Sequence, residues 1–281
     1  MKALEKALSL LLSATLSTTV LAAELRLNGV MTQGSLIRGQ TDAVEVYFDE
    51  EKLPLAAQGQ FVFGIGRDAN LQHTLTLVAE DGQRDVHTLQ FSQRQYDIQR
   101  VEGVAQQYVT PPAAVTERIQ QDNKKVRKAR AVMSQLLYVF DTPIQPAIGR
   151  ISGVYGSQRI FNGEPRNPHY GLDIAAPTGS EVIAPLSGVV TLAEDLYYSG
   201  LTLIVDHGYG VSSTFMHLSK IDVAVGDSIT QQQKIAEIGS TGRVTGPHLD
   251  WRINWQQERL DPALLLPDLP LPATENQSVT P

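Results

Sequence analysis

The chain contains no cysteine among its 281 residues. Disulfides, thiol-based catalysis, cysteine zinc sites and thiol-linked lipid anchors are therefore excluded, and the fold must be held together by burial alone. Basic residues are also in deficit, with 23 Lys and Arg against 30 Asp and Glu. The resulting net charge of −7 argues against nucleic acid as the main partner. The length allows about two domains of ordinary size.

Long apolar runs are missing after the first 23 residues, so no stable membrane span is expected in the mature chain. Residues 1–23 carry two early lysines, an apolar stretch from Ala7 to Leu12, and small residues at Ala22 and Ala23. Serines and threonines interrupt the apolar part, whereas a spanning helix needs about 20 predominantly apolar residues. We interpret residues 1–23 as a cleaved secretory signal peptide, which predicts a periplasmic protein.

Residues 24–109 are predicted to form an antiparallel β-sandwich. Short runs that alternate apolar and polar residues occur at 43–48, 60–65, 73–79 and 85–91, separated by turn signals such as Asp81-Gly82. His73 and His87 lie in two of these runs. We interpret both as ordinary strand histidines, because a metal site needs several convergent ligands.

Residues 110–143 are predicted to form a linker helix and a connection. The segment begins with T-P-P at Thr110, which is typical of a helix start. Six basic residues follow: Arg118, Lys124, Lys125, Arg127, Lys128 and Arg130. We favour a solvated helix face, and the alternative is a surface for an acidic polymer, a membrane or a cell-envelope protein partner. The Pro-rich tail, residues 262–281, is expected to lie outside the packed core.

Residues 144–261 are predicted to form a second all-β domain, which carries the candidate chemistry. His169 and Asp173 lie four apart in N-P-H-Y-G-L-D, and His248 and Asp250 lie two apart in G-P-H-L-D-W-R-I. Residues two apart on a strand share a face, so His248 and Asp250 should point the same way. His217, in an otherwise apolar strand, is the remaining candidate. His207 is expected to shape a turn.

The ordered motifs of this region resemble the lysostaphin/LytM-type zinc metallopeptidases, which cut peptide bonds in peptidoglycan. They are H-Y-G-L-D-I-A-A-P-T-G, A-P-L-S-G-V-V, D-H-G-Y-G, M-H-L-S, V-G-D and T-G-R-V-T-G-P-H-L-D-W. The resemblance is close over residues 150–254, and the preceding β-domain and helix also resemble exported members of the family. It implies an exported endopeptidase that acts on peptidoglycan peptides, with peptide cross-links as the expected targets.

The resemblance also implies roles for individual residues. The zinc ligands would be His169, Asp173 and Asp250, with one zinc ion, and His217 and His248 would be the catalytic residues. The family has H-x-H where this chain has H-x-D, so Asp250 stands at the position of a histidine ligand. With Asp250 ionised, the formal charge of the zinc and its ligands falls from about +1 to about zero.

Asp250 allows two interpretations. In the first, which we favour because the other four positions are kept, Asp250 is a carboxylate ligand in a working enzyme. In the second, Asp250 marks an inactive domain that binds peptidoglycan or regulates another wall hydrolase. A biotinyl or lipoyl carrier domain is a weaker alternative, because Lys220 does not stand at the hairpin tip that such a domain modifies.

Overall fold

The computed structural model describes residues 23–101, 113–161, 163–165, 167–267 and 269. The predicted signal peptide lies outside these residues, apart from its last residue. The described chain is mainly β, which confirms the predicted fold class. No helix among the described residues is long and apolar enough to cross a membrane.

The front part of the chain forms two antiparallel sheets. Its strands are β1 (Leu25–Asn28), β2 (Leu36–Thr41), β3 (Glu45–Phe48), β4 (Glu51–Leu53), β5 (Gln60–Gly64), β6 (Gln72–Val78) and β7 (Arg84–Gln90). One sheet has the order β1-β2-β5 and the other β4-β3-β6-β7. Phe48 and Phe63, one from each sheet, stack with ring centroids 4.4 Å apart. The predicted alternation therefore places its apolar side chains in a core between the sheets.

The described part of the connection to the second part contains the α-helix α1 (Thr116–Arg130), preceded by a 3-10 turn at Ala113–Val115. The predicted capping residue, Thr110, lies outside the described residues. The helix ends at Arg130, although the apolar residues Met133 and Leu136 continue the helical spacing beyond it. Arg118 and Lys125 pair with Asp195 and Glu194, so part of the basic face is neutralised within the protein. A second 3-10 turn follows at Tyr138–Phe140.

The second part is built on a ten-stranded sheet whose main path is β17-β14-β15-β16-β19-β12-β9. Its strands, with two that pair outside the sheet, are β9 (Arg150–Gly153), β10 (Gln158–Phe161), β11 (Glu164–Pro165), β12 (Leu172–Ala175), β13 (Glu181–Ile183), β14 (Gly188–Leu196), β15 (Gly200–Gly208), β16 (Val211–Ile221), β17 (Ser228–Ile229), β18 (Lys234–Ile238), β19 (Leu249–Trp255) and β20 (Glu258–Leu260). The two outside it, β10 and β11, form a small sheet with β8 (Ile98–Val101). The central strands β15 and β16 are almost continuously buried.

The start of the predicted Pro-rich tail belongs to the core, which corrects the expectation that the whole tail lies outside it. Pro262–Leu265 form a 3-10 turn capped by the Asp261 carboxylate, which accepts from the Ala263 N–H at 2.9 Å. Leu266 is buried against the main hydrophobic cluster. Leucines between the prolines supply enough apolar surface to hold this turn against the sheet.

The front part contacts the second part through buried polar groups. Arg94 forms an ion pair with Asp261 at 2.8 Å, and both side chains are almost fully buried. Arg67 donates two hydrogen bonds to the carbonyl of Gly156, at 3.1 and 2.9 Å. The Gly156 N–H in turn donates to the carbonyl of His169 at 2.7 Å. The front part thus braces the loop that carries the first candidate ligand.

Candidate metal centre and active site

Three of the predicted residues converge at the edge where β12 meets β19. His169, Asp173 and Asp250 each offer a ligand atom, and these atoms lie within 4.8 Å of one another. No other group of three His, Cys, Asp or Glu residues is so arranged in the part of the chain that the structure describes. His169 Nε2 lies 3.2 Å from Asp173 Oδ1, and its Nδ1 lies 4.0 Å from Asp250 Oδ2.

Strand register brings the two carboxylates together. Asp173 on β12 stands directly opposite Asp250 on the antiparallel strand β19. Like charges in directly opposed positions destabilise a sheet, so this pairing needs a compensating positive charge. His169 is held beside them by its backbone, whose N–H donates to the Ser157 carbonyl at 2.8 Å.

Two glycines make room for these carboxylates. A Cβ placed on Gly171 would lie 2.1 Å from Asp250 Oδ1, and one on Gly153 would lie 2.2 Å from Asp173 Oδ2. No real Cβ approaches an oxygen so closely. The glycine within G-L-D is therefore required by the close approach of β19, because the Trp251 carbonyl oxygen would also lie 2.9 Å from a Cβ at Gly171.

Arg252 is the site residue that the sequence interpretation missed. Its Nε donates to Asp250 Oδ1 at 2.9 Å and its Nη2 to Asp250 Oδ2 at 2.6 Å, a two-pronged ion pair. Asp250 and Arg252 lie two apart on β19 and share its face. The same alternation that linked His248 with Asp250 in H-L-D-W-R was the signal that could have found it.

The two candidate catalytic histidines lie next to each other, with ring centroids 4.9 Å apart. His217 Nδ1 is 2.9 Å from the Thr241 carbonyl, and His248 Nδ1 is 2.9 Å from the Gly246 carbonyl. A carbonyl can only accept, so each Nδ1 carries the proton and each Nε2 of the neutral ring keeps a lone pair. His248 Nε2 lies 4.0 Å from Asp173 Oδ1, which directs that lone pair into the site.

His217 has a backbone φ of 64°, in the left-handed region. A non-glycine residue in this region costs free energy and persists where the surroundings impose it. Its N–H donates to the Ser199 carbonyl at 2.9 Å, and this contact interrupts the regular pairing of β15 with β16. The strained backbone turns the imidazole toward His248.

Burial and the charges within the site shift three pKa values. Burial by itself would lower the pKa of His169, but contact with Asp173 and the charge of Asp250 raise it above its usual value. Burial lowers the pKa of His217, which favours the neutral ring. Burial would raise the pKa of Asp250, but the charge and hydrogen bonds of Arg252 dominate and lower it. Asp250 is therefore a carboxylate and His217 a base near neutral pH.

The donor set fits a divalent metal ion. His169 Nε2 and Asp173 Oδ1 are buried and make no hydrogen bond within the described residues, although buried polar atoms are nearly always paired. An imidazole and two carboxylates are ordinary zinc donors. One unpaired ring nitrogen would not be diagnostic, since His87 Nε2 in the front part is also unpaired. At His169 the unpaired atoms converge from two residues beside a third acid.

The structure thus brings all five predicted site residues into one cluster. It places His207 elsewhere: this histidine lies fully buried in β15, with Nδ1 2.8 Å from the Ser187 carbonyl and Nε2 2.8 Å from the Ser213 hydroxyl. His207 therefore joins β15 to its neighbours and lies within the strand itself, before the turn at Tyr209-Gly210.

Comparison with known proteins identifies the second part of the chain. Residues 167–262 match the profile of Peptidase family M23. This part of the chain is an M23 peptidase domain. The match spans every residue of the cluster, from His169 to Arg252, and confirms the resemblance drawn from the ordered motifs.

Individual relatives agree. Peptidoglycan DD-endopeptidase ShyA of Vibrio cholerae is 37% identical over 105 residues, which are 37% of this chain and 24% of the relative. DD-carboxypeptidase/endopeptidase Mpg of Neisseria meningitidis is 40% identical over 90 residues, 31% of this chain and 21% of the relative. The chain therefore spans about a quarter of the length of these curated relatives.

A solved structure extends the likeness beyond the M23 domain. A Pseudomonas aeruginosa protein assigned to the M23 peptidases superposes with a TM-score of 0.65 at 25% identity, covering 84% of this chain and 95% of the other. Coverage of this extent includes most of the front part. The combination of the front sheets with an M23 domain is thus an arrangement that another protein shares.

Proposed function

We propose that this protein is an exported, zinc-dependent peptidoglycan hydrolase, an endopeptidase that cleaves peptide bonds of cell-wall peptides, with cross-links as the target. The observation that carries the proposal is the convergence of His169 Nε2 and Asp173 Oδ1 with Asp250, beside two histidines that each direct Nδ1 to a backbone carbonyl. Neither His169 Nε2 nor Asp173 Oδ1 makes a hydrogen bond within the described residues. The name of the relative ShyA, a peptidoglycan DD-endopeptidase, supports peptidoglycan as the substrate.

His169, Asp173 and Asp250 would hold the ion. A bound zinc ion with an open position acidifies water and polarises a carbonyl, which is the chemistry that peptide hydrolysis needs near neutral pH. His217 and His248 would share the proton transfers: a neutral Nε2 accepts the proton of the attacking water, and a protonated Nε2 returns one to the leaving amine. A protonated imidazole also donates a hydrogen bond to the oxyanion of the tetrahedral intermediate.

A second candidate function is favoured by one observation, the ion pair of Arg252 with both oxygens of Asp250. If this pair keeps Asp250 from the metal, the domain would be an inactive one that binds wall peptides or regulates another hydrolase. The two functions differ in a single measurable property, which is whether the protein makes new peptide ends in peptidoglycan.

The test is digestion of purified sacculi by the protein with stoichiometric zinc, analysed by mass spectrometry of the soluble muropeptides. The enzyme is expected to release fragments with new amino and carboxyl ends, and Asp173→Ala is expected to release none. His73→Ala, in the front part, is the matched control and should digest normally. Identical muropeptide profiles for wild type and Asp173→Ala, with sacculi still bound, would establish the inactive function. Cell fractionation of the native protein tests the proposed periplasmic location.

A further inference from the structure

The ion pair between Asp250 and Arg252 changes the charge of the candidate metal centre. Both contacts are short, at 2.9 and 2.6 Å, and the Asp250 side chain is only 4% exposed. A pair of this geometry is charge-assisted and two-pronged, so it also fixes the orientation of the carboxylate. The rest of the described chain provides no other Lys or Arg within 4 Å of Asp250.

Formal charges show what the pair does. A divalent ion held by one carboxylate and two imidazoles carries +1, and exchanging one imidazole for a carboxylate reduces this to zero. Adding the guanidinium of Arg252, which stays protonated in proteins, restores +1. The carboxylate and the guanidinium together therefore match the charge of the neutral imidazole that H-x-H would supply.

Register explains why the compensation is needed even without an ion. Asp173 and Asp250 are directly opposed on adjacent strands, and their oxygens are confined by Gly153 and Gly171. Their ligand atoms lie within 4.8 Å of each other, so the two negative charges repel. Arg252 lies on the same strand face as Asp250 and offsets the second of the two charges.

We propose that Asp250 and Arg252 act as one unit that replaces the histidine of H-x-H, with Asp250 as the donor to the metal and Arg252 as the positioning residue that offsets its charge. The metal half of this inference rests on the proposed function. Arg252 leaves acceptor sites of the Asp250 carboxylate available to a metal ion. The two oxygens offer about four lone-pair sites, and the ion pair uses two of them.

If Asp250 and Arg252 act as one unit, replacing Asp250 alone by histidine should weaken zinc binding. Separate roles for the two residues would not predict this. In Asp250→His the Arg252 guanidinium loses its partner and adds an uncompensated charge beside the metal. In the double variant Asp250→His/Arg252→Gln the donor and the neighbour are both neutral. Zinc should therefore bind at least about tenfold more tightly to the double variant than to Asp250→His, since coupling between contacting residues commonly reaches that size.

The experiment is a double-mutant cycle on the full chain, with two measurements for each of the four proteins. Zinc affinity is measured by competition with a chromophoric chelator, and stability by urea unfolding in excess EDTA. Arg252→Gln is expected to strengthen zinc binding and raise the urea midpoint in the Asp250→His background, and to lower the midpoint in the wild-type background. Arg252→Lys keeps the positive charge and loses the two-pronged contact with Asp250. Its stability should therefore lie between those of wild type and Arg252→Gln.

Controls separate the possible failures. Arg243→Gln removes an exposed arginine that lies over the Tyr198 ring, 4.6 Å from its centroid, and should have the same small effect in both backgrounds. If Asp250→His does not fold, Asp250→Asn serves as the neutral variant with the same expected reversal. Equal effects of Arg252→Gln in both backgrounds would overturn the inference and leave the proposed function intact. Absence of zinc from wild type would reject the proposed function and the metal half, while the unfolding cycle in EDTA would still decide the ion pair.

Discussion

Histidines next to acids occur in both parts of the molecule, and their surroundings differ. In the front part, His73 contacts Asp49 at 2.5 Å through Nδ1 and the Asn70 carbonyl at 2.8 Å through Nε2. In the M23 domain, His169 Nε2 lies 3.2 Å from Asp173 Oδ1 without a hydrogen bond, and a second acid, Asp250, lies nearby. A histidine and an acid in contact therefore do not by themselves make a site.

The difference lies in how many groups the fold brings to one point. His73 has both ring nitrogens occupied, by Asp49 in the turn after β3 and by Asn70 in the loop before β6, so the pair is complete as a structural contact. His169 lies where two antiparallel strands and a braced loop meet, and each contributes one donor. Three donors that converge, two of them with atoms that make no hydrogen bond, are the arrangement that a metal ion completes.

The largest expected effect comes from removing one of the three metal donors. His169→Ala removes one of three donors and should weaken zinc binding at least about 100-fold, since even outer partners of zinc ligands cost about 10- to 100-fold when removed. Zinc content after dialysis, measured by mass spectrometry of the metal, checks the prediction. His87→Ala is the matched control, because His87 Nε2 is also unpaired and lies 3.2 Å from Asp85. A loss of zinc in His87→Ala equal to that in His169→Ala would show that the metal is bound elsewhere.

Local patterns in the sequence were enough to predict the strands and the two motif segments. Alternation of apolar residues places Leu75 and Leu77 in the front core, and both are fully buried. Alternation also predicts that His248 and Asp250 share a face. These features depend on neighbours in the chain, which the sequence displays directly.

The features that sequence reasoning missed depend on contacts between distant segments. The opposition of Asp173 and Asp250 is set by the register of β12 with β19, and only that register shows that Asp250 needs Arg252. The packing of Leu266 follows from the apolar surface that the sheets leave uncovered. The end of α1 before Met133 was missed because apolar spacing continues past the residues that remain helical.

A smaller effect concerns His207, the histidine of the M23 domain that lies outside the site. Burial lowers its pKa to about 4, partly offset by the hydrogen bond to the Ser187 carbonyl. The unfolded chain takes up a proton below about pH 6.5, whereas the folded protein excludes it until about pH 4. Stability from this residue is therefore complete above pH 6.5 and falls by roughly 3 kcal/mol as the pH drops toward 4.

Urea unfolding in EDTA at intervals between pH 7 and pH 4 measures this loss. His207→Gln, which cannot take up the proton, should flatten the pH dependence while lowering stability at pH 7. Thr88→Ala, at an exposed position of β7 that does not titrate, is the control from the front part and should leave the steepness of the pH dependence unchanged. Wild type and His207→Gln with parallel profiles would place the acid sensitivity on other groups.

The smallest effect belongs to the front part. Asp49 accepts hydrogen bonds from His73 and from the Thr74 N–H, the latter at 2.8 Å, and its side chain is 46% exposed. Its pKa is lowered, against the effect of burial, by these hydrogen bonds, so its contribution is present above the unfolded pKa and is lost as the pH falls through the folded one. Because an exposed ion pair is screened by water, Asp49→Asn should cost less than about 1 kcal/mol of unfolding free energy. Zinc content should not change, because the pair is complete without a third donor. A drop in zinc affinity in Asp49→Asn would show instead that a change in the front sheets alters the metal centre through the contact of Arg67 with Gly156.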